Sequence, residues 1–115
     1  MADRVWSIRA TAHFLLMKHD PATVVDRTER IFSALAHPSR RHILLTLNFR
    51  EGQMSAGEIA DRFGCSWPTT TRHLNILRES GLISVEKQGR ERIYTLERKK
   101  LTETVGEWIK WFTQE

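Results

Sequence analysis

Two helix starts follow each other closely in the middle of the chain, and their spacing strongly restricts the possible fold. The run Ser55-Ala-Gly-Glu58 is a capping box. In this motif the serine side chain accepts a hydrogen bond from the backbone N–H of the third helical residue, and the glutamate side chain accepts one from the backbone N–H of the serine. A short helix with an apolar face follows. Only Gly64-Cys65-Ser66 separates it from a second start, where Ser66 is the N-cap and Pro68 lies in the first turn. Two helices joined by so short a turn predict a helix-turn-helix.

The second helix of this pair has two different faces. Leu74 and Leu77 form an apolar stripe with Thr70 one turn earlier, and Gly81 ends the helix. The other face offers hydroxyls, a methyl group for thymine and a guanidinium for guanine or phosphate, on Pro68, Thr69, Thr71, Arg72 and Asn75. The second helix of a helix-turn-helix typically enters a DNA groove. A solvated helix that happens to be rich in threonine is the alternative, although threonine lowers helix propensity.

After Gly81 the spacing of the apolar residues changes from the period of a helix to the period of two that is typical of a strand. The runs 83–87 and 91–96 favour β-structure, and Gln88-Gly89-Arg90 lies between them. The pattern predicts a β-hairpin with a basic tip, which carries Lys87, Arg90 and Arg92.

The remaining helices flank this central part. Asp20 and Pro21 start a helix of about 21–36, Pro38 starts another, and a last helix runs over about 98–113. The last helix carries more aromatic surface than a small monomer needs on one side, which indicates burial against a partner. The predicted interface between two copies comprises Val24, Ile31, Leu101, Val105, Trp108, Trp111 and Phe112.

The positive charge is concentrated in one third of the chain. The 115 residues contain 18 basic and 14 acidic side chains, which gives a net charge of +4. Residues 66–100 hold eight of the basic and four of the acidic groups, so the rest of the chain is neutral. Such a distribution favours a polyanionic partner over a merely solvated surface.

Several classes of protein are excluded by composition. The length predicts one domain, over residues 20–115, preceded by an extension over 1–19 whose conformation the sequence leaves open. Cys65 is the single cysteine, so an intramolecular disulfide and a multi-cysteine zinc site are both excluded. No apolar run is long enough for a membrane span or a signal peptide, and a cytoplasmic location is expected. The sequence also lacks a glycine-rich phosphate loop and a nucleophile–base set, so no enzyme is predicted.

Two segments resemble the ArsR/SmtB family of bacterial repressors: Phe32-Ser-Ala-Leu-Ala-His-Pro-Ser-Arg-Arg-His-Ile-Leu44 and Thr69-Thr-Thr-Arg-His-Leu-Asn-Ile-Leu-Arg-Glu-Ser-Gly-Leu-Ile83. The resemblance covers about residues 24–113. It implies a fold that is mainly α with a small β-hairpin: a winged helix-turn-helix of about five core helices and a two-stranded antiparallel wing. It also implies a homodimer that places its two recognition helices in successive major grooves of double-stranded DNA. The residue before the proline of the second helix is His37, where the family usually has an acidic N-cap.

By position, Trp67, Thr69, Thr71 and Arg72 match the groove-facing residues of the family, and Lys87, Arg90 and Arg92 match its wing. The full set predicted to contact DNA comprises Ser66, Trp67, Pro68, Thr69, Thr71, Arg72, Asn75, Lys87, Arg90 and Arg92.

The metal-site motifs of the family are missing from the sequence. The stretch before Cys65 lacks a Cys-x-Cys pair, and the last helix offers Glu103 and Glu107 but no histidine. We therefore expect neither a metal nor a cofactor, and an inducing ligand stays unknown. A redox role of Cys65 is the less favoured alternative to a small buried residue of the turn. The predicted function is that of a sequence-specific DNA-binding repressor; the alternative is a winged-helix module that binds protein.

Overall fold

The computed structural model describes residues 21–64 and 66–113, with the side chains of residues 21–25 left out. Its described part contains five helices, α1 (Pro21–Leu35), α2 (Pro38–Phe49), α3 (Ala56–Phe63), α4 (Trp67–Glu79) and α5 (Arg98–Thr113). Three strands accompany them, β1 (Gln53–Ser55), β2 (Ile83–Gln88) and β3 (Glu91–Leu96). The predicted winged helix-turn-helix is confirmed. The predicted extension over 1–19, Cys65 and the side chain of Val24 lie outside the described residues.

The sheet has one strand more than the predicted hairpin. Strands β2 and β3 form the antiparallel wing, and β1 pairs with the other edge of β3, which gives the order β1-β3-β2. In this register Met54 lies opposite Tyr94, and both side chains are buried. The sequence did not predict β1 because three residues carry too little alternation to distinguish a strand from a loop.

The core lies between the helix-turn-helix and the sheet. Its largest fully buried side chains come from α2, α3, α4 and the start of β2, and are Leu47, Ile59, Leu74, Leu77, Leu82 and Ile83. Helix α4 packs on α1, α2, α3 and β2, so the predicted apolar stripe faces inward. None of the helices within residues 21–113 has the length and hydropathy that crossing a bilayer requires.

The helix ends follow the sequence signals. The side chain of Ser55 accepts from Glu58 N and the side chain of Glu58 accepts from Ser55 N, both at 3.1 Å, so the capping box is complete. Gly64 ends α3 with a left-handed φ of 60°, which suits a residue without a Cβ. His37 also caps α2, because its Nδ1 accepts from Ser39 N at 3.1 Å. An imidazole therefore performs the capping role that the family usually gives to an acidic residue.

Replacement of Ser55 by alanine tests the capping box. The side chain of Ser55 is buried, and its loss leaves the first turn of α3 without its acceptor. We expect Ser55→Ala to lower the free energy of unfolding by about 1 kcal/mol, as measured by urea denaturation. Ser84→Ala, at an exposed position of β2, is the matched control. Equal stability of the two variants would contradict a stabilising role for the box.

Candidate nucleic-acid interface

The two sides of α4 differ sharply in exposure. Thr70, His73, Leu74 and Leu77 are buried on the side that faces the core. Each residue predicted to contact DNA from this helix and its cap is exposed on the opposite side: Ser66, Trp67, Pro68, Thr69, Thr71, Arg72 and Asn75. The indole of Trp67 is 57% exposed although it is one of the largest apolar groups in the chain. An exposed aromatic ring beside hydroxyls and a guanidinium is suited to contact with base edges or sugars.

A cleft of about 410 Å³ separates the start of α4 from the wing. Trp67 and Thr71 line one wall, and Arg90 and Arg92 line the other. Tyr94 lies at the same cleft and is 4% exposed. The fold thus brings together side chains that are about twenty positions apart in the sequence, in a cleft whose wing side carries Arg90, Arg92 and Glu91.

A second hollow of about 350 Å³ lies further along α4. Asn75 and Arg78 of the helix face Lys87 and Arg92 of the wing across it. Arg92 borders both hollows, so it stands in the middle of the face that α4 and the wing form together. We call this surface the helix–wing face; it comprises the residues of α4 and the wing that line the two hollows, together with Ser66, Pro68, Thr69 and Arg72.

The sequence analysis missed two members of the helix–wing face. Arg78 is exposed three residues after Asn75, and this helical spacing was a usable signal. Tyr94 lies at the cleft but is buried between β1 and β2, and only the sheet pairing reveals that position.

The basic groups of the helix–wing face lack acidic partners within the described residues. The ion pairs of residues 21–113 lie elsewhere and join Asp26 to Arg30, Arg50 to Glu58, Lys99 to Glu103 and Glu107 to Lys110. The guanidinium groups of Arg72, Arg90 and Arg92 therefore keep their charge available for an external anion.

Known proteins share this architecture and much of the sequence. A profile of a helix-turn-helix domain matches residues 35–86. The transcriptional repressor SdpR of Bacillus subtilis is 37% identical over 79 residues, which cover 69% of this chain and 84% of that protein. The crystal structure of an ArsR family transcriptional regulator is 32% identical, with a TM-score of 0.68 over 78% of this chain and 95% of the other. The chain belongs to the ArsR/SmtB family of transcriptional repressors.

Membership in the ArsR/SmtB family confirms the predicted function as a DNA-binding transcriptional repressor and not an enzyme. It does not favour the alternative of a protein-binding module. The fold is also that of a homodimeric winged helix-turn-helix DNA-binding domain from Mycobacterium bovis, solved in solution. That domain has a TM-score of 0.66 at 23% identity, and the match covers 78% of this chain and 82% of the other.

The last helix of this ArsR/SmtB protein has an uncovered aromatic side. Trp108 and Phe112 are 49% and 72% exposed, with ring centroids 4.9 Å apart. The ring of Phe32 in α1 packs edge-on against Trp108 at 5.4 Å. Val105 and Trp111 are half-buried. No residue of α5 within 98–113 is fully buried.

Two members of the predicted interface pack against the core of the single chain. Ile31 is 3% exposed and belongs to the core of the single chain, because the inner side of α1 packs on α2 and α4. Leu101 is half-buried against the same core. The sequence could not separate these two roles, since a helix that lies between a core and a partner is apolar on both sides.

The histidines form no metal centre that the structure describes. Residues 21–64 and 66–113 contain no group of three or more potential metal ligands. His37 and His73, which stand on different helices, nevertheless have ring centroids only 4.5 Å apart.

Proposed function

We propose that the repressor binds double-stranded DNA with the helix–wing face, α4 entering the major groove and the wing meeting the adjacent backbone. The observation that carries this proposal is the position of the predicted residues, which all lie exposed on one basic face. The cleft between Trp67 and Arg90 supports it, because a phosphodiester strand that leaves the groove would pass between helix and wing.

Two arginines of this face are suited to different tasks. Arg72 is exposed on the outer side of α4, where its planar guanidinium meets O6 and N7 of guanine in the groove. Arg90 follows Gly89 at the exposed tip of the wing, where a mobile cation meets a phosphate or a narrow minor groove. The helix thus distinguishes sequences, and the wing adds affinity.

We further propose a homodimer that binds a pseudo-palindromic operator. The uncovered apolar side of α5, with Val105, Trp108, Trp111 and Phe112, supports this assembly, and Leu101 contributes at its edge. Two copies related by a two-fold axis would present two α4 helices to successive major grooves. Double-stranded DNA and a second copy are then the partners. A cytoplasmic location follows from this role, since bacterial DNA is found there.

Alanine variants of Arg72 and Arg90 separate base reading from phosphate binding. Arg72→Ala should weaken operator binding by about 1–3 kcal/mol and flatten the preference at one base pair per half-site. Arg90→Ala should weaken operator and scrambled DNA by similar factors and lower the slope of log K against log salt by about one. The measurement is a set of binding curves on both duplexes across a salt series.

Equal losses on both duplexes for Arg72→Ala would make this residue a backbone contact. Base reading would then belong to Trp67, Thr69 and Thr71. Arg30→Ala on the exposed surface of α1 removes the same charge outside the helix–wing face and serves as the control.

Replacement of Trp108 tests the dimer. Its indole contacts both Phe32 and Phe112, and truncation of a well-packed interface aromatic costs at least about 2 kcal/mol. We expect Trp108→Ala to shift the protein to monomer or aggregate in sedimentation experiments at micromolar concentration. Phe49→Ala, at an exposed aromatic position on α2, should leave assembly unchanged. A monomeric wild-type protein would overturn the proposed interface.

We propose that operator release does not depend on the metals that the family senses. Zinc, cadmium or arsenite added to the complex should leave operator affinity unchanged within error, because the family's ligand motifs are missing from the sequence. The measurement is a fluorescence anisotropy titration with and without each metal. A tenfold or larger loss of affinity would refute this proposal.

A further inference from the structure

A polar cluster lies beneath α4, on the side away from the helix–wing face. Its centre is the imidazole of His73, which is 8% exposed. The ring of His37, at the start of α2, lies 4.5 Å from it between centroids. The Nη1 of Arg40, one turn into α2, lies 3.4 Å from Nδ1 of His73. The sequence predicts no shared role for these residues, because they come into contact only when α2 packs against α4.

Arg40 extends the cluster to a third helix. Its Nε donates to Ala34 O at 2.7 Å, and its Nη2 donates to Ser33 O at 3.2 Å. These carbonyls belong to the last turn of α1, and Ser33 O also accepts from Ala36 N at 3.2 Å. One guanidinium therefore joins the end of α1, the start of α2 and the middle of α4. Lysine, with a single nitrogen, lacks the planar fork for these three acceptors.

The bond to Arg40 fixes the state of the imidazole. A guanidinium carries donors only, so Nδ1 of His73 must accept, which requires a neutral ring with its proton on Nε2. A protonated ring would offer a donor to a donor and would place a second positive charge beside Arg40. The contact is thus compatible with the neutral ring alone.

The surroundings of His73 also oppose protonation. Burial lowers the pKa of His73 below its ordinary value, and its electrostatic interactions with His37, Arg40 and Arg72 lower it further. Helix α1 contributes carbonyl oxygens to this cluster. Its charged residues Glu29 and Arg30 line a cleft with Ile76, Glu79 and Ser80, which lie further along α4.

By linkage, this pKa shift makes stability depend on pH in one direction. The unfolded chain takes up the proton at a higher pH than the folded chain. The stability that the neutral ring contributes is therefore present in full above about pH 6.5 and is lost as the pH falls below that value toward the lower folded pKa.

The position of His73 connects this cluster to DNA contact. It directly follows Arg72, and Leu74 after it is anchored in the core. A shift of the ring would therefore move the guanidinium of Arg72 relative to the wing. We propose that Arg40 and His73 are positioning residues for DNA binding, which hold α4 at the angle to the wing that the operator requires. This inference rests on the proposed role of α4 in the major groove.

Two substitutions of His73 separate positioning from mere packing. In His73→Asn the amide oxygen can take the place of Nδ1 and accept from Arg40, whereas His73→Leu fills the site but cannot accept. The DNA is a duplex that the wild-type protein selects from a random library. We expect His73→Leu to remain folded and to lose about tenfold or more in affinity, and His73→Asn to stay within about threefold of wild type at pH 7. Equal losses in both variants would overturn the proposal.

Arg41 provides a matched control for Arg40. Its Nη1 donates to Leu35 O at 2.7 Å, so it also binds the last turn of α1, but its described bonds do not reach α4. Arg40→Gln and Arg41→Gln remove the same charge from adjacent positions. We expect Arg40→Gln to lower the affinity for the selected duplex by at least about fivefold. The loss of binding free energy for Arg41→Gln should be less than half of that for Arg40→Gln. The double variant Arg40→Gln/His73→Leu should bind no more weakly than the weaker single variant.

The dependence of DNA affinity on pH distinguishes a positioning role of His73 from a packing role, which would not change with pH. Affinity of the wild type for the selected duplex should fall between pH 7 and pH 5, and His73→Asn should show a flatter profile because the titrating ring is gone. The other histidines are common to both proteins, and of these His37 interacts with His73. Parallel profiles, or affinity that rises toward pH 5 only when His73 is present, would contradict the proposal.

Amide chemical shifts of the free protein distinguish this inference from the proposed function. Arg40→Gln should shift the backbone amides of α4 well beyond those shifted by Arg41→Gln, in the absence of DNA. Unshifted α4 amides would refute positioning even if the wild type binds DNA. A wild-type protein that selects no duplex would refute the proposed function itself, whatever the shifts show.

Discussion

The burial of one side of α4 is the constraint on which the rest of the structure depends. Leu74 and Leu77 are 2% and 0% exposed, and they pack against elements that precede and follow α4 in the chain. Because neighbouring residues of a helix are about 100° apart, a rotation by one position would expose Leu74 and bury Arg72. Both changes are unfavourable, one through lost apolar burial and the other through a desolvated charge. The outer side of α4 is therefore held toward solvent by what its inner side buries.

The short strand β1 holds the wing in position, as the apolar stripe holds α4. A two-stranded hairpin alone is marginal in water. Pairing with Gln53–Ser55 attaches β3 to the segment that caps α3, and the bond from Leu96 N to Gly52 O at 2.7 Å extends this attachment. Ser55 thus serves both the ladder and the capping box. The three-residue strand β1, which lies next to the helix-turn-helix, thus positions the basic tip of the wing beside Trp67.

Charge and apolar surface lie on different elements of the fold. The helix–wing face exposes arginines that have no acidic partner within residues 21–113, as a surface for a polyanion requires. The aromatic side of α5 carries the large apolar groups that the small core leaves uncovered. The cluster around His73 lies between the core and the helix–wing face, where a polar contact can set the angle of α4 without taking part in DNA contact itself.

The sequence by itself determined the helices, the β-hairpin of the wing and the residues of the outer side of α4. The capping box, the turn glycine, the N-cap at Ser66 and the change of apolar period near Gly81 are local signals, and a helix or strand start needs only its neighbours. The two inward leucines then left Arg72 and Asn75 on the other side by geometry alone. Ile31, which is predicted at an interface, lies in the core of the single chain, because apolar spacing shows that a residue is buried but not which surface covers it.

Only the tertiary structure decided which distant residues meet. The pairing of β1 with β3, the cleft that joins Trp67 to Arg90, and the contact of His73 with Arg40 each unite segments that are distant in sequence. No periodic pattern encodes such contacts, because they arise when the helices settle at angles set by the shape of the shared core. The chemical groups of the helix–wing face could thus be predicted from the sequence, while their geometry was fixed by packing.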